Sequence, residues 1–155
     1  MTSTHYRLPR DVAPIDYDVD LDASPKRASF GGTLVLSAKV LQPVERFELN
    51  SRGLSVAEVV AVQGKARQKG QAKAFKGRET VELRFPKGLK KGPLTVTLRF
   101  KGKLDAGMHG LYLAKDGPER AIVSQCEATD ARAIFPCFDE PDLKATLRWT
   151  VRTDP

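Results

Sequence analysis

Between Ser124 and Ala145 the chain reads Ser-Gln-Cys-Glu-Ala-Thr-Asp-Ala-Arg-Ala-Ile-Phe-Pro-Cys-Phe-Asp-Glu-Pro-Asp-Leu-Lys-Ala. This stretch gathers most of the side chains that could do chemistry. Gln125 and Glu127 form an amide and carboxylate pair, Asp130, Arg132, Asp139, Glu140 and Lys144 form a set of acids and bases, and Cys126 and Cys137 are the two cysteines of the chain. A carboxylate in a partly dry setting holds an ammonium group strongly. The acid and base set has a second use, as hydrogen bonds and ion pairs that fix a loop. We expect that use for Asp130, Arg132, Asp139, Glu140 and Lys144, with Cys126 and Cys137 as small buried packing groups. Taken alone, Gln125 and Glu127 read as ordinary polar residues at a strand end. The histidines, His5 and His109, lie far apart, and no Ser/His/Asp or Cys/His nucleophile arrangement or glycine-rich phosphate loop is present.

The segment has no helical or strand period, and such backbone must find hydrogen-bond partners inside the fold. Loops of this kind on a rigid scaffold are where binding groups concentrate. Its motif, Gln-Cys-Glu-x-x-x-Ala-Arg followed by Phe-Pro-Cys-Phe-Asp-Glu-Pro-x-x-Lys-Ala, resembles the closing part of the N-terminal domain in the aminopeptidase N family of zinc metallopeptidases, which includes leukotriene hydrolase. Tyr6-Arg-Leu-Pro9, Pro14 to Leu21 and Phe30-Gly-Gly-Thr33 resemble that family's first strands. Leu49-Asn50 and Gly110-Leu-Tyr112 are looser points of likeness in the middle.

The resemblance implies an aminopeptidase parent that removes N-terminal amino acids from peptides with a free N-terminus. It implies that Glu127 helps to hold the substrate α-amine and that Gln125 lines the pocket for the first side chain. The family's zinc is held by His-Glu-x-x-His on a helix, where the spacing puts both imidazoles on one face. Neither that motif nor the family's Gly-x-Met-Glu-Asn element occurs in these 155 residues; Asp105-Ala-Gly-Met-His-Gly110 is a superficial echo. The expectation is one domain over residues 1–155 that anchors substrate but holds no metal and is inactive without a catalytic domain. The alternative is a stand-alone interaction module that binds an acidic partner through its basic surface.

Length favours a single domain. A net charge of +7 raises nucleic-acid binding, but the basic residues are spread from Lys65 to Lys103 without interleaved aromatics or a recognition motif. They read as a solvated surface, and no nucleic acid is expected. No apolar run is long enough to span a bilayer and the first residues lack a signal-peptide core, so the expectation is a cytoplasmic protein with no membrane partner. In that compartment Cys126 and Cys137 are expected to be reduced rather than bridged.

The elements that must carry the segment are strands. Ile15, Tyr17, Val19 and Leu21 alternate with Asp16, Asp18, Asp20 and Asp22, which puts an apolar face opposite an acidic one. The acids are expected to face solvent and pair with basic residues on neighbouring strands. Alternation recurs at 34–40, 81–85, 94–100 and 146–152, with shorter candidates at 46–50, 55–62 and 121–124. Glycine and proline turns separate them. These features predict an all-β antiparallel sandwich of many short strands, with at most one helical turn near 140–144 and Trp149 between the sheets. Gln63–Gly77 reads as a mobile hairpin connection. Since the family continues with further strands, an open strand edge after Arg152 is expected, with self-association of the chain, a mobile 125–144 segment and wetted Phe135 and Phe138 rings.

Overall fold

The computed structural model describes residues 7–154; His5 and Tyr6 lie outside them. Eleven strands are arranged in the order β1 Val12–Asp22, β2 Ser29–Val40, β3 Val44–Asn50, β4 Ser55–Gln63, β5 Ala66–Lys69, β6 Gln71–Phe75, β7 Thr80–Leu89, β8 Gly92–Lys103, β9 Gly110–Asp116, β10 Glu119–Gln125 and β11 Thr146–Arg152. Three sheets result. The largest runs β11-β1-β2-β8-β4-β5, a second runs β3-β7-β6, and β9 and β10 form a separate hairpin.

The first two sheets face each other as a sandwich, as the alternation predicts. Leu34, Leu36, Val96 and Leu98 from the large sheet and Leu49, Leu83 and Phe85 from the small one are completely buried. Each such side chain contributes about 1.5–3 kcal/mol. On β1, Tyr17, Val19 and Leu21 face this core. Ile15 does not: a bulge between Pro14 and Asp16 shifts the register and leaves it 53% exposed. The acidic face of β1 pairs outward as expected, with Arg148 on Asp18 at 3.1 Å and Arg152 on Asp20 at 3.0 Å.

Within Gln63–Gly77, the expected hairpin connection, Ala66–Lys69 and Gln71–Phe75 form strands β5 and β6, and β4 and β5 pair as a hairpin. Backbone pairing organises it where side-chain periodicity is weak. Arg67, Gln68 and Lys69 pair with β4, and Gln71–Phe75 pair with β7 of the other sheet. Gly70 makes the transfer, because a Cβ there would lie 2.6 Å from the Phe85 ring.

The last strand departs from the expected antiparallel pairing: β11 runs parallel to β1, with Val19 opposite Trp149. Leu147, Trp149 and Val151 thus lie on the core-facing side of the sheet, yet are 46%, 40% and 60% exposed. Trp149 is not enclosed between sheets, because the three-stranded sheet does not extend over this edge. Glu140–Leu143 closes as a hydrogen-bonded turn, and single 3-10 turns occur instead at Lys76–Arg78 and Ala131–Ala133.

Candidate functional site

Strand β10 delivers Gln125 to the base of the β9–β10 hairpin, where it pairs with Gly110. Gly110 has φ +59°, and a Cβ there would meet Ala133 at 2.8 Å, so the close approach of the hairpin to the 131–133 turn requires glycine. Beyond Gln125 the chain turns, and Gln125 through Thr129 are all exposed. The Glu127 amide donates to Gln125 Oε1 at 3.2 Å, which places the two predicted site residues on one short loop. The Glu127–Ala128 peptide is cis.

Asp130 closes this loop. Its amide donates to the Cys126 carbonyl at 2.9 Å, and its buried carboxylate accepts from the Arg52 guanidinium and lies 3.0 Å from His109 Nδ1. The Arg52 hydrogen bond, reinforced by His109, holds the Asp130 carboxyl below its ordinary range. His109 is therefore engaged by a carboxylate that already carries an arginine. A cleft of about 720 Å³, lined in part by Arg52, Lys103, Asp105 and His109, adjoins this cluster.

From Asp130 onward the segment turns inward. Arg132 Nε donates to Asp139 Oδ2 at 2.9 Å, and Glu79 lies 3.5 Å from its other side. Asn50 and Cys137 exchange backbone hydrogen bonds at 2.8 and 3.1 Å, and Asn50 Oδ1 accepts from the Asp139 amide at 3.0 Å. The Phe138 amide donates to the Tyr17 hydroxyl at 3.0 Å. Burial pushes that phenol well above its usual pKa. Phe135 and Phe138 are each only 5% exposed, so the wetted rings expected from the sequence are not found. Phe138 stacks on Phe47, and Phe135 packs edge-on against Tyr17 and Trp149. These contacts come from β1, β3 and β11.

The acid and base set therefore divides. Asp130, Arg132 and Asp139 fix the loop as expected, whereas Glu140 binds the incoming chain through the Leu8 amide at 2.6 Å and Arg10 at 2.5 Å. Lys144 is exposed. Cys137 is buried but Cys126 is exposed, which corrects the expectation of two buried packing groups; both thiols are free. Cys126 sits on the displayed side of the Asp130 closure and Cys137 on the anchored side. Arg52 and Glu79 were not foreseen as anchors, since each sits singly in a turn and only the packing of that turn against residues 130–139 reveals its use.

On the far side of the small sheet a groove of about 590 Å³ collects Arg46, Lys73, Arg78 and Arg84. Arg78 pairs with Glu48, and Arg46 and Arg84 pair with Glu82.

Among the described residues no three His, Cys, Asp or Glu side chains gather as a metal would require. Asp130, committed to Arg52 and His109, does not supply an available donor. The fold is a β-sandwich in which Gln125 and Glu127 are exposed beside the buried, ion-paired Asp130. Residues 13–155 match the Peptidase M1 N-terminal domain, and the chain belongs to that family. It is 35% identical over 153 residues to probable M1 family aminopeptidase 2 of Encephalitozoon cuniculi, covering 97% of this chain and 17% of that protein. It is 32% identical to human endoplasmic reticulum aminopeptidase 1, over 96% of this chain and 17% of that one. Against aminopeptidase N of Acetobacter pasteurianus the identity is 31%, over 94% of this chain and 41% of the relative. The chain thus spans less than half the length of these curated relatives.

Proposed function

We propose that residues 1–155 form the substrate-anchoring domain of a zinc-dependent aminopeptidase, one wall of a site whose catalytic residues lie in another domain. The observation that supports this is the paired display of Gln125 and Glu127 on an exposed loop whose next residue but two, Asp130, is buried and doubly paired. Glu127 would accept hydrogen bonds from the α-ammonium of a peptide, and Gln125 would border the first side chain. A carboxylate at this position favours a free N-terminus over a blocked one, because only the ammonium brings a compensating charge. The described residues offer no cluster of donors suited to zinc, and in such a parent the zinc would be held by residues outside them. The same reading places the parent in the cytoplasm, in keeping with two unbridged cysteines.

The test is Glu127→Gln in the full-length parent. A hydrogen bond to a charged group is worth about 1.5–3 kcal/mol, so kcat/KM for unblocked peptides is expected to fall roughly ten- to a hundredfold. Unchanged turnover at subsaturating substrate would overturn the assignment.

A further inference from the structure

The outer face of the three-stranded sheet sets like charges opposite each other. Strand pairing places Arg46 of β3 directly against Arg84 of β7, and Glu48 against Glu82. Opposed like charges destabilise a sheet unless something answers them. The carboxylates are answered within the chain: Glu48 pairs with Arg78 at 3.0 Å, and Glu82, 14% exposed, meets both opposed arginines. The arginines are not. Glu82 reaches only their Nε atoms, at 3.4 and 3.8 Å, and the exposed Glu45 stands 3.9 Å from Arg84. These separations exceed the roughly 2.7–3.2 Å of a good hydrogen bond. Two guanidinium forks, the geometry that takes a carboxylate by paired N–H groups, thus stand side by side with their terminal donors unused. Further along the groove the Lys73 ammonium and the Arg78 guanidinium lie 5.1 and 4.3 Å over the Phe75 ring, and Lys73 forms no ion pair among the described residues.

We infer that this groove docks an extended acidic peptide segment, with one carboxylate held between Arg46 and Arg84 and a second, two residues along, met by Lys73 and Arg78. Gln71 pairs with Arg84 and Lys73 with Glu82, so the two cationic levels are two residues apart, about 6.5–7 Å along the sheet. Carboxylates at alternate positions of an extended chain repeat at the same distance. The surroundings carry the same sign. Residues 65–103 hold thirteen basic side chains and two acidic ones, Glu79 and Glu82, whereas the rest of the chain holds thirteen basic and seventeen acidic. Such a field draws an acidic segment to this part of the surface before contacts form. Lys87, Lys90 and Lys91 extend it on the turn after Arg84. That turn is held in place: the Gln63 and Gln68 side chains each donate to one of its carbonyls at 2.8 Å and accept from one of its amides at 3.0 Å. A nucleic acid fits less well, because Lys73 and Arg78 cover the Phe75 ring on which a base would stack. The groove is formed by β3, β6, β7 and the Lys76–Arg78 turn, and the terminal strand β11 belongs to the other sheet.

The test is fluorescence anisotropy of the full-length parent with a labelled, N-acetylated peptide of four Glu-Thr repeats. Binding should saturate and weaken as salt rises. Arg46→Gln and Arg84→Gln, both at exposed positions, should each weaken it about tenfold, the worth of a hydrogen bond between charged groups. Arg120→Gln removes the same charge from the β9–β10 hairpin and should change the affinity by less than about twofold, because an exposed charge at a distance is screened. Glu127→Gln should leave binding unchanged, which separates the groove from the 125–129 loop. A Gln-Thr peptide that binds equally well overturns the inference, as does an equal loss in Arg46→Gln and Arg120→Gln, or a loss in Glu127→Gln. Absence of binding, as when another domain of the parent covers the groove, also overturns it. So does displacement of the peptide by tripolyphosphate or an oligothymidylate at a lower concentration than by unlabelled peptide.

Discussion

Residues 125–129 and residues 130–138 are adjacent in sequence and opposite in physical state. Every residue of the first group is exposed, and the Glu127 carboxylate meets no cation among the described residues. In the second group Ile134, Phe135, Cys137 and Phe138 are 3–5% exposed, and Asp130, Arg132 and the neighbouring Asp139 are all in ion pairs. The stabilising contacts thus stop where the displayed carboxylate begins. A charged group that is to hold a ligand must be left unpaired by its own protein, and an unpaired loop keeps a fixed position only if the chain beside it is locked. The difference between the two groups is what the proposed role of Glu127 requires.

The comparison breaks most visibly at Phe138. Its ring stacks on Phe47 with centroids 6.2 Å apart, and its amide is taken by buried Tyr17. Phe138→Ala is expected to cost about 3–5 kcal/mol in denaturant unfolding. A cost below about 1 kcal/mol, the level of an ordinary surface change, would mean that the inner group is not locked. Asp130→Asn comes next, at about 1.5–3 kcal/mol, because it weakens charge-assisted bonds to Arg52 and His109. Asp130 also carries a pH signature. Its folded pKa is depressed, so the stability it contributes is fully present above the unfolded carboxylate value of about 3.9 and is lost as pH falls through the lower folded value. Acid unfolding curves of the wild type and Asp130→Asn should therefore converge at low pH. Curves separated by the same amount at pH 3 and pH 7 would contradict the assignment.

Much of this was legible in the chain, and the exceptions have physical causes. Alternation identified β1, β2, β7 and β8 because both periodicity and burial follow from a sandwich with one wet face per sheet. It misplaced Ile15, since a bulge changes phase without leaving a mark in composition, and it enclosed Trp149, since periodicity reports which face a residue shares but not whether anything covers that face. Gln63–Gly77 was read as a connection because β5 and β6 are edge strands with little to bury; their order comes from backbone pairing and from one glycine fitted against Phe85. At the site, Gln125 and Glu127 were singled out by their resemblance to a family motif, whereas Arg52 and Glu79 enter from turns more than 50 residues away. Long-range ion pairs of that kind have no local signal. The Phe135 and Phe138 rings were expected to be wet on the premise that only a missing domain could cover them, and Tyr17, Phe47 and Trp149 supply the cover instead.

The smallest expected effect gives the sharpest probe of the boundary, because each group contains one cysteine. Cys126→Ser should change stability by no more than about 0.5 kcal/mol, as at other exposed positions. The two thiols should nonetheless react very differently. Partial burial, with the nearby Asp139 and Asp130 charges, raises the Cys126 pKa, and near-complete burial raises that of Cys137 much further. Since the thiolate is the reacting species, a thiol reagent should modify Cys126 slowly at neutral pH and faster as pH rises, while Cys137 stays unmodified until the chain unfolds. Native protein should then take up one label and denatured protein two. Glu127→Gln should leave this pattern unchanged, because its side chain belongs to the displayed group alone. Phe138→Ala should accelerate Cys137 labelling, because it opens the anchored one. Labelling of Cys137 in the wild-type native state at a rate comparable to Cys126 would show that the boundary at Asp130 is not a boundary in solution, and Glu127 would lose the anchored base that its proposed role requires.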